Sequence, residues 1–415
     1  MKVIIAGAGI GGLALALMLH KRGIECDVYE SVREIKPLGV GINLLPHAAG
    51  ELEQLGLLQT LADNAVATSA LHYYNVHGQT IWQEARGLAA GYPVPQLSIH
   101  RGTLQLLLAA AVRERLGAHR LHTGMAFESL EQDTSGVTAH FRRRNDGGPQ
   151  AVRADVLVGA DGIHSAVRKA FYPRGDAFRF SGRILWRAIT YAPPYLDGRT
   201  MFMAGYQDQK FVAYPLADDG RRPGLVPVNW IAELSVQGRD LPATDWNRVV
   251  DKSVFNRPFQ GWKWPWVDIP ALIDGAQTIY EFPLVDKDPL PRWSHGRATL
   301  MGDAAHPLYP IGSNGSAQAI LDARSLAERL HETLSGRHRS IEMALKEYEA
   351  ERLPPTTGII LRNRLNGPEQ VMQMAHERAP GGFADINEVI PQAELEEVSM
   401  RYKRLAGFDP SRLKQ

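Results

Sequence analysis

The sequence predicts an α/β protein in which a parallel sheet carries an inserted, mainly antiparallel β-sheet domain and is followed by C-terminal helices. A short apolar run that ends in glycines, Val3 to Ala6, is typical of a strand buried on both faces. An apolar helix and a second strand, Cys26 to Glu30, follow it and complete a β-α-β unit. Between about 181 and 279 the chain changes to aromatic, proline-containing, strand-like segments, and this change predicts the inserted domain.

Composition limits the classes of partner. The chain has 415 residues, of which 44% are hydrophobic, so it can bury the cores of two domains. Its 46 basic and 45 acidic side chains give a net charge of +1, which offers no general attraction to nucleic acid or to an anionic membrane. The single cysteine, Cys26, excludes an internal disulfide framework, and the first apolar run is too short for a signal or membrane segment. We therefore expect a cytoplasmic protein.

The elements follow in order along the chain. The helix that carries Leu13 to Leu19 ends near Gly23, where basic residues and a glycine are typical of a helix C-terminus. Two later apolar runs, Asp155 to Ala160 and Ala298 to Met301, each end in an Asp/Gly turn and are predicted as further strands of the parallel sheet. The sheet is therefore expected to combine distant parts of the sequence.

The inserted domain and the C-terminal part have their own predicted elements. Strands are predicted over Arg183 to Tyr191, Thr200 to Tyr206, Phe211 to Leu216 and Leu225 to Leu234. Helices are predicted over Ser316 to Leu334, over Ile341 to Arg352, where Pro354 and Pro355 should end the helix, and over Gln392 to Leu405.

A glycine motif lies between the first strand and the first helix. Gly7, Gly9 and Gly12 fit the pattern G-x-G-x-x-G, with Gly11 beside them. Such glycines allow a tight turn, a close approach of the backbone to a pyrophosphate, and close packing of helix and strand. Glu30 ends the next strand, where a carboxylate can bind a ribose hydroxyl and disfavours a 2′-phosphate. The pattern predicts a Rossmann-like site for FAD or NAD.

A second motif, Gly302 to Pro307, comes far outside a simple dinucleotide fold and precedes a helix. Asp303 ends a strand there and could accept a hydrogen bond from a ribityl hydroxyl. Backbone amides at the start of the following helix could stabilise negative charge on a reduced flavin ring. A capped loop without a ligand is the alternative interpretation.

These motifs together resemble a known family. The stretch Asp286 to Arg297 leading into Gly302 to Pro307, and the stretch Asp155 to Arg168 with Asp161-Gly162, resemble the single-component (group A) flavoprotein aromatic hydroxylases, the class of para-hydroxybenzoate and salicylate hydroxylases. The resemblance covers about the first 360 residues. It implies a discontinuous FAD-binding domain over 1–180 and 280–370, a substrate domain over 181–279 that parts of 70–100 could join, and a helical tail over 371–415.

Two further stretches, Pro37 to Asn43 and Ser98 to Gly102, are similar to the phenazine-modifying branch of that family. In that branch the glycine-rich segment after Glu30 is a mobile flavin loop, and the resemblance implies FAD contacts at the following positions: Gly41, Ile42, Arg101, Leu121, Asp161, Asp303, Pro310, Gly312, Ser313, Asn314 and Gly315. One departure stands out, because Ile311 to Gly315 replaces the Gly-Gln-Gly-type turn of many hydroxylases.

The resemblance also implies an activity. It implies non-covalent FAD, NADH or NADPH as a transient co-substrate, and dioxygen activated as a flavin C4a-hydroperoxide that hydroxylates a small carboxylated or phenolic aromatic or heteroaromatic ring. The Asp161 motif would serve both FAD and NAD(P)H, since no second nucleotide-binding fold is apparent. Decarboxylating hydroxylation of an aromatic acid is one alternative, and a non-catalytic flavin-binding regulator is another. A monomer or a homodimer is expected.

The substrate pocket is expected between the inserted domain and the flavin. Candidate wall residues are Trp186, Met203, Tyr206, Phe211, Tyr214 and Pro215, with ordinary sheet core as the alternative for about half of them. Arg187 could pair with a substrate carboxylate or could be an exposed strand arginine. His72, His100 and His306 are candidates for a proton relay, and the sequence assigns no catalytic residue.

Two other patterns in the sequence fall short of known functional signatures. The segment Trp262 to Pro270 is similar to the W-x-W-x-I-P signature of flavin-dependent halogenases, but its spacing is off by one residue. His295, His306 and Asp303 do not have the spacing of a common zinc motif, so no metal is expected.

Overall fold

A computed structural model describes residues 1–174, 176–236, 248–337 and 340–409. Its five-stranded Rossmann-like sheet is entirely parallel and draws its strands from three distant stretches, as the sequence predicts. In spatial order the strands are Ala298–Leu300, Val156–Gly159, Lys2–Ala6, Glu25–Glu30 and Leu121–Thr123.

A second, large sheet has eight strands and lies over the carboxyl end of the first. Its strand pairs are antiparallel except one, because Ala70–Tyr74 runs parallel to Thr200–Tyr206. In spatial order the strands are Arg248–Val250, Ile279–Lys287, Phe178–Ala192, Val226–Ser235, Gln209–Pro215, Thr200–Tyr206, Ala70–Tyr74 and Thr80–Ala85. The strands from 70–85 thus join the inserted part of the chain, and the predicted boundary at 280 falls inside a strand.

Smaller sheets complete the strand inventory of the described residues. Gly41–Leu44, Gln96–His100 and Ala65–Thr68 form a sheet beside the cavity described below, with Gln96–His100 in the middle. The remaining strands form a three-stranded meander and a short hairpin: Met125–Gln132, Val137–Arg143, Pro149–Ala154, Lys263–Trp264 and Val267–Asp268.

Helices cover the Rossmann-like sheet and tie the chain's end to the large sheet. The helix after the first strand packs between two longer helices, Arg101–Leu116 and Gly315–Leu334. The α-helices of the described residues are Ile10–Lys21, Pro46–Glu53, Leu58–Ala62, Arg101–Leu116, Ala166–Phe171, Ile269–Asp274, Gly315–Leu334, Ile341–Asn363, Gln370–Arg378 and Gln392–Ala406. Within this described part of the chain, no helix combines the length and the apolar character needed to cross a bilayer.

One predicted helix end is wrong. The helix expected to end before Pro354 and Pro355 continues to Asn363, with both prolines inside it. Each proline removes one backbone hydrogen bond. The helix nevertheless packs firmly against Gly315–Leu334. Tertiary packing therefore outweighs the local propensity of the two prolines.

Candidate active site

The Rossmann-like sheet, the helix Gly315–Leu334 and one face of the large sheet enclose a cavity of about 330 Å³. Nine of the residues predicted to contact FAD line it, on the side of the Rossmann-like sheet: Gly9, Gly11, Gly41, Ile42, Arg101, Asp303, Pro310, Ser313 and Gly315. The structure thus brings together positions that are up to 306 residues apart in the chain. A cavity of this volume suits a small flat ligand.

The glycine motif leaves space where a dinucleotide would lie. Gly7 has φ +112°, and a Cβ on it would collide with the Ala160 carbonyl, while a Cβ on Gly12 would collide with the Gly7 carbonyl. A Cβ on Gly9, by contrast, would meet no atom of the protein within 4 Å. Two glycines therefore allow close packing of the turn, and the third keeps a free surface at the positive end of the helix Ile10–Lys21.

Glu30 and Leu121 lie at the outer end of this surface. The Glu30 carboxylate accepts hydrogen bonds from the backbone N–H groups of Ala8 and Val32, both at 2.9 Å. Leu121 pairs with Val28 on the edge strand and is buried. Glu30 is therefore held beside the glycine turn, and its role toward ribose and that of Leu121 toward adenine stay predictions.

The glycine-rich loop before Gly41 is held by the large sheet. The Gly41 N–H donates to Asn229 Oδ1 (2.7 Å), and the Arg187 guanidinium lies 3.4 Å from the Gly41 carbonyl oxygen. On the other side, the Arg101 N–H donates to the Val40 carbonyl (2.9 Å). The segment predicted as a mobile flavin loop is thus in contact with the large sheet and with the start of the helix Arg101–Leu116.

Asp303 faces the cavity from the turn after the strand Ala298–Leu300. The surrounding protein raises the pKa of its carboxyl by desolvation, although His306 and Arg101 counteract this effect. In the described part of the chain this carboxylate has no hydrogen-bond partner. It is therefore free to accept a hydrogen bond from a ligand hydroxyl in the cavity.

A buried carboxylate supports that turn from behind. Asp322, on the helix Gly315–Leu334, accepts from the Gly302 N–H (2.9 Å) and from Arg352 Nε (2.8 Å), and it lies 2.5 Å from His306 Nε2. Burial alone would raise the pKa of Asp322, but His306 and Arg352 outweigh it and lower the pKa to about 2. His306 is thus part of a structural network and does not open into the cavity.

The Asp161 motif is tied to the Gly302–Asp303 turn. Asp161 accepts hydrogen bonds from the Ser165 hydroxyl and from the first N–H groups of the helix Ala166–Phe171. Burial raises its pKa, and these hydrogen bonds counteract the effect. Arg168, buried and paired with Asp176 (2.7 Å), donates to the carbonyls of residues 304 and 305 at 3.2 and 2.9 Å. The Asp161 carboxylate therefore holds its own helix, and its binding of FAD or NAD(P)H stays a prediction.

The turn that departs from the family pattern has unusual backbone geometry. Gly312 and Ser313 both have positive φ, +71° and +57°. The Asn314 side chain is fully buried and donates to the Gly312 carbonyl (3.0 Å). Ser313 is not a glycine, so its left-handed conformation costs free energy that neighbouring contacts must offset.

Only one face of the large sheet lines the cavity. Met203 and Tyr214, two of the candidate wall residues, lie on that face with Arg187, and their contact with a substrate stays a prediction. Trp186 and Phe211 point to the opposite face, where Trp186 stacks on Phe255 and Phe211 on Trp230. Successive residues of a strand point to opposite faces of the sheet, and the candidate wall residues include some from each face. Trp186 and Phe211 therefore do not reach the cavity.

Two other wall candidates also lie elsewhere. Tyr206, at the end of its strand, stacks on His376 with ring centroids 3.7 Å apart. Pro215 is four residues from Phe211 on the same strand, so both side chains lie on the face away from the cavity. Neither residue is among those that enclose the cavity.

An ion-pair cluster forms part of the same cavity wall. Lys210 Nζ lies 2.9 Å from Glu233 and 2.6 Å from Glu369, and Glu233 also pairs with Arg183 (2.8 Å). All four side chains are buried. Burial alone would lower the pKa of Lys210, but the two carboxylates outweigh it and raise the pKa. The cluster is internally neutralised, which distinguishes it from Arg187.

The remaining histidine candidates have structural partners. His72 lies 3.1 Å from the Tyr74 hydroxyl on the face of the sheet that turns away from the cavity. His100 accepts from the N–H of Thr103 at the start of the helix Arg101–Leu116 and lies 3.2 Å from the Gly39 carbonyl. His295 stacks on Phe171. None of these three rings lines the cavity.

Sequence reasoning missed several residues that shape the site. Asn229 and Glu233 on the strand Val226–Ser235, and Lys210 on the strand Gln209–Pro215, are polar residues that point to one face of the sheet, and this shared face was an available signal. Asp322 is a charged residue among apolar ones on a predicted helix, which is a weaker signal.

The residues present fit a bound FAD. The free surface at Gly9, the helix N-terminus beside it and the unpartnered Asp303 carboxylate form a continuous path into the cavity. In a bound FAD, the pyrophosphate would lie at Gly9, the ribose at Glu30 and the ribityl chain at Asp303. The turn after Pro310 would lie against the flavin ring.

Comparison with known proteins agrees with this geometry. The FAD-binding domain family matches residues 1–249 and 284–362. Phenazine 1,6-dicarboxylic acid hydroxylase PhzS of Lysobacter antibioticus is 45% identical, over 87% of this chain and 89% of its own. The 3-amino-4-hydroxybenzoate 2-monooxygenase PtnB3 of Streptomyces platensis is 32% identical, over 89% and 88%. The structure of Klebsiella pneumoniae HpxO with FAD and uric acid superposes with a TM-score of 0.74 at 24% identity, covering 99% of this chain and 97% of that one.

These similarities confirm the predicted family and α/β fold, with its Rossmann-like part and its inserted antiparallel sheet. They also confirm the predicted FAD and the use of NAD(P)H and dioxygen, which is typical of the family. The chain belongs to the FAD-binding domain family of group A aromatic hydroxylases, and it is an FAD-dependent aromatic monooxygenase.

Proposed function

We propose that this monooxygenase hydroxylates a flat, fused heteroaromatic carboxylic acid and that Arg187 binds the substrate carboxylate. The observation that carries the proposal is the state of the Arg187 side chain. Its Nε has no hydrogen-bond partner and, among the described residues, no carboxylate lies within ion-pair distance of it. Its guanidinium lines the cavity.

An uncompensated cation in such a place is costly for the folded protein. Burial lowers the pKa of Arg187, and the positive charge of Arg101 lowers it further. A charge that is not paired within the protein is typical of a binding site, because a ligand of opposite charge then offsets the desolvation. A carboxylate matches the planar guanidinium better than a single-atom anion does.

The sheet register places an apolar strip next to this guanidinium. Met203 pairs with Val212, Val212 with Ile231, and Ile231 with Arg187, so the four side chains lie in one row across four strands. Adjacent strands are about 4.8 Å apart, which makes the row about 14 Å long. A fused ring system can therefore lie along the apolar part of the row with its carboxylate at Arg187.

The two sides of this row are polar. Lys210 and Glu233 form the neighbouring row on one side, and Tyr214 and Asn229 form the row on the other. Asn229 is fully buried, and its side chain holds the Gly41 N–H at the edge of the cavity. A ring with polar atoms along both edges fits this arrangement better than a plain phenol does.

The relatives support the same class of substrate. The protein from Lysobacter antibioticus is named for hydroxylation of phenazine 1,6-dicarboxylic acid, a fused ring that carries carboxylates. The protein from Streptomyces platensis is named for a smaller ring that also carries a carboxylate. A carboxylated aromatic ring is common to both.

The chain's own residues orient and enclose the reactants. Bound FAD supplies hydride acceptance from NAD(P)H and activation of dioxygen. Arg187 fixes one end of the ring, the apolar row sets its plane, and the loop at Gly41, held by Asn229, limits access of water to the cavity. No residue of the cavity is assigned as a proton donor or acceptor in the reaction.

The test is NAD(P)H consumption by the FAD-loaded protein with a panel of phenolic, quinoline and phenazine carboxylic acids, with oxygenated product measured in parallel. Stimulation by a fused carboxylic acid, coupled to product, is the expected result. Arg187→Met should then raise the KM for that acid by about 30-fold or more, since a buried charge partner is lost. The corresponding carboxamide should be affected little by the same substitution.

A matched control lies on the same strand. Arg179 is exposed and pairs with Asp288 at the surface, so Arg179→Met should leave the KM unchanged. Carboxylate binding by Arg187 is refuted if Arg187→Met and Arg179→Met have the same KM for the acid. It is also refuted if Arg187→Met raises the KM of the acid and of the carboxamide by the same factor.

Decarboxylating hydroxylation remains the second candidate, because the carboxylate-binding geometry suits both reactions. Carbon dioxide release in step with NAD(P)H consumption would identify it. Its absence, with the carboxylate retained in the product, would identify simple ring hydroxylation. The predicted cytoplasmic location and the monomeric or homodimeric state are further proposals, the latter to be measured by light scattering.

A further inference from the structure

We propose that Tyr402, on the C-terminal helix Gln392–Ala406, is a positioning residue of the flavin site. The match to the family model ends at residue 362, so this helix lies beyond the matched residues. The Tyr402 side chain reaches the turn 310–314, whose Pro310 and Ser313 line the cavity. The tail is thereby part of the machinery that holds the flavin.

The Tyr402 hydroxyl joins three segments of the chain. It accepts from Asn314 Nδ2 (3.0 Å) and lies 2.9 Å from Asn363 Oδ1 and 3.1 Å from the Ile311 carbonyl. Asn363 Nδ2 already donates to that carbonyl (3.1 Å), so the single hydroxyl proton is best placed toward Asn363 Oδ1. Burial raises the pKa of Tyr402, and the phenol therefore stays protonated and keeps this pattern.

The turn needs such support because its backbone is strained. Gly312 and Ser313 have positive φ, and a Cβ at Gly312 would collide with the Tyr402 hydroxyl. The tyrosine therefore fills the space beside Gly312, and its hydroxyl holds the Asn314 side chain that caps the Gly312 carbonyl. A strained turn keeps its conformation only when its surroundings impose it.

A second contact ties the same helix to the site. Gln318, in the first turns of the helix Gly315–Leu334, donates to the Ala406 carbonyl (3.0 Å), and its Oε1 accepts from Arg352 (2.6 Å). The end of the tail thus contacts both the turn and the helix that follows it. These buried hydrogen bonds, unlike an apolar contact, specify one geometry.

The experiment compares FAD binding by the wild type and Tyr402→Phe, a change that removes only the hydroxyl and leaves Asn314 Nδ2 with an unmet donor. We expect FAD to bind about tenfold more weakly, as judged by flavin fluorescence. We also expect a shift in the absorption bands of bound FAD and more hydrogen peroxide per NAD(P)H oxidised without substrate. None of these readouts depends on the identity of the substrate.

Tyr92→Phe is the matched control. The Tyr92 hydroxyl donates to the Phe408 carbonyl, so this change also removes one buried hydrogen bond to the tail, but not a hydrogen bond to the residues of the turn. We expect Tyr92→Phe to lower thermal stability to a similar extent and to leave FAD affinity, the flavin spectrum and peroxide formation unchanged.

Two results would overturn the proposal. If Tyr402→Phe binds FAD with wild-type affinity and spectrum, the hydroxyl does not position the turn. If Tyr92→Phe weakens FAD binding as much as Tyr402→Phe does, the tail acts only through overall stability. A failure of the Arg187 test would affect neither outcome, because it concerns the substrate and not the flavin.

Discussion

Replacement of Asp322 by asparagine tests whether the buried network behind the Gly302–Asp303 turn is a major source of stability. Asp322 is fully buried and keeps its carboxylate ionised through Arg352 and His306. The lowering of its pKa from 3.8 to about 2 corresponds to about 2 kcal/mol at neutral pH, since each pKa unit is worth about 1.4 kcal/mol. Asparagine also leaves the Arg352 guanidinium without its charge partner, so the total loss is expected at about 2–5 kcal/mol.

The pH dependence follows from the direction of the pKa change. A carboxyl whose pKa is lowered by folding stabilises the protein above its unfolded pKa and loses this effect as the pH falls through the folded pKa. At pH 3 only about half of this contribution remains. The difference in the free energy of unfolding between wild type and Asp322→Asn should therefore narrow by about 1 kcal/mol between pH 6 and pH 3.

Urea unfolding of both proteins at pH 6, 5, 4 and 3 measures this difference. Asp274→Asn is the control, because Asp274 forms an exposed ion pair with Lys252 and should change little at any pH. A difference for Asp322→Asn that stays constant or widens toward pH 3 would refute the assigned role of the ionised carboxylate. A loss no larger than that of Asp274→Asn would refute the importance of the network.

Three further substitutions have distinct expected results. Gly9→Ala should weaken FAD binding by about tenfold or more and leave the thermal stability of the FAD-free protein unchanged. Gly12→Ala should lower both the FAD affinity and the thermal stability, as measured by fluorescence titration and thermal unfolding. Gly41→Ala would place its Cβ 2.7 Å from a Tyr214 ring carbon, so we expect displacement of the loop and slower reduction of FAD by NAD(P)H in stopped-flow measurements. Arg168→Met removes two hydrogen bonds to the turn and one ion pair, and a loss of about 3–5 kcal/mol in the free energy of unfolding is expected by urea titration. Each prediction is contradicted by a wild-type result. These results are an unchanged FAD affinity for Gly9→Ala, an unchanged rate of FAD reduction for Gly41→Ala, and an unchanged urea midpoint for Arg168→Met.

The parallel sheet could be predicted because its signals are local. Each strand is a short apolar run that ends in a glycine or an Asp/Gly turn, and each motif follows its strand directly. The strand and helix bounds of the first β-α-β unit differ from the predicted ones by a few residues at most. What the local signals do not contain is the way distant segments meet.

Local signals also did not show which residues of the large sheet point to the cavity. Both faces of its central strands are buried, one against an aromatic core and the other against the cavity, so apolar residues do not alternate with polar ones along the strand. Trp186 and Arg187 are neighbours in sequence, and aromatic character alone favoured Trp186 as a cavity residue. The charged residues Arg187, Lys210 and Glu233 share one face, and their phase was the better indicator.

The two prolines show a different limit. Pro354 and Pro355 predict a helix end from local chemistry, and that rule omits the packing energy of a long helix. Buried side chains on both sides of the prolines, Tyr348 and Ile359 among them, keep the helix continuous up to Asn363. Because Asn363 contacts Tyr402 and the turn after Pro310, an earlier helix end would have left that turn without one of its supports.

The two family motifs around Asp161 and Asp303 are best understood as one structural unit. Arg168, which follows Asp161 on the helix that Asp161 caps, donates to the carbonyls of residues 304 and 305 on the neighbouring strand's turn. A displacement of the Asp303 turn by a ligand would therefore act on the helix of Asp161 through the buried guanidinium of Arg168. The predicted dual use of the Asp161 motif would then require no direct contact of its carboxylate with either nucleotide, since the motif can act by fixing where Asp303 lies.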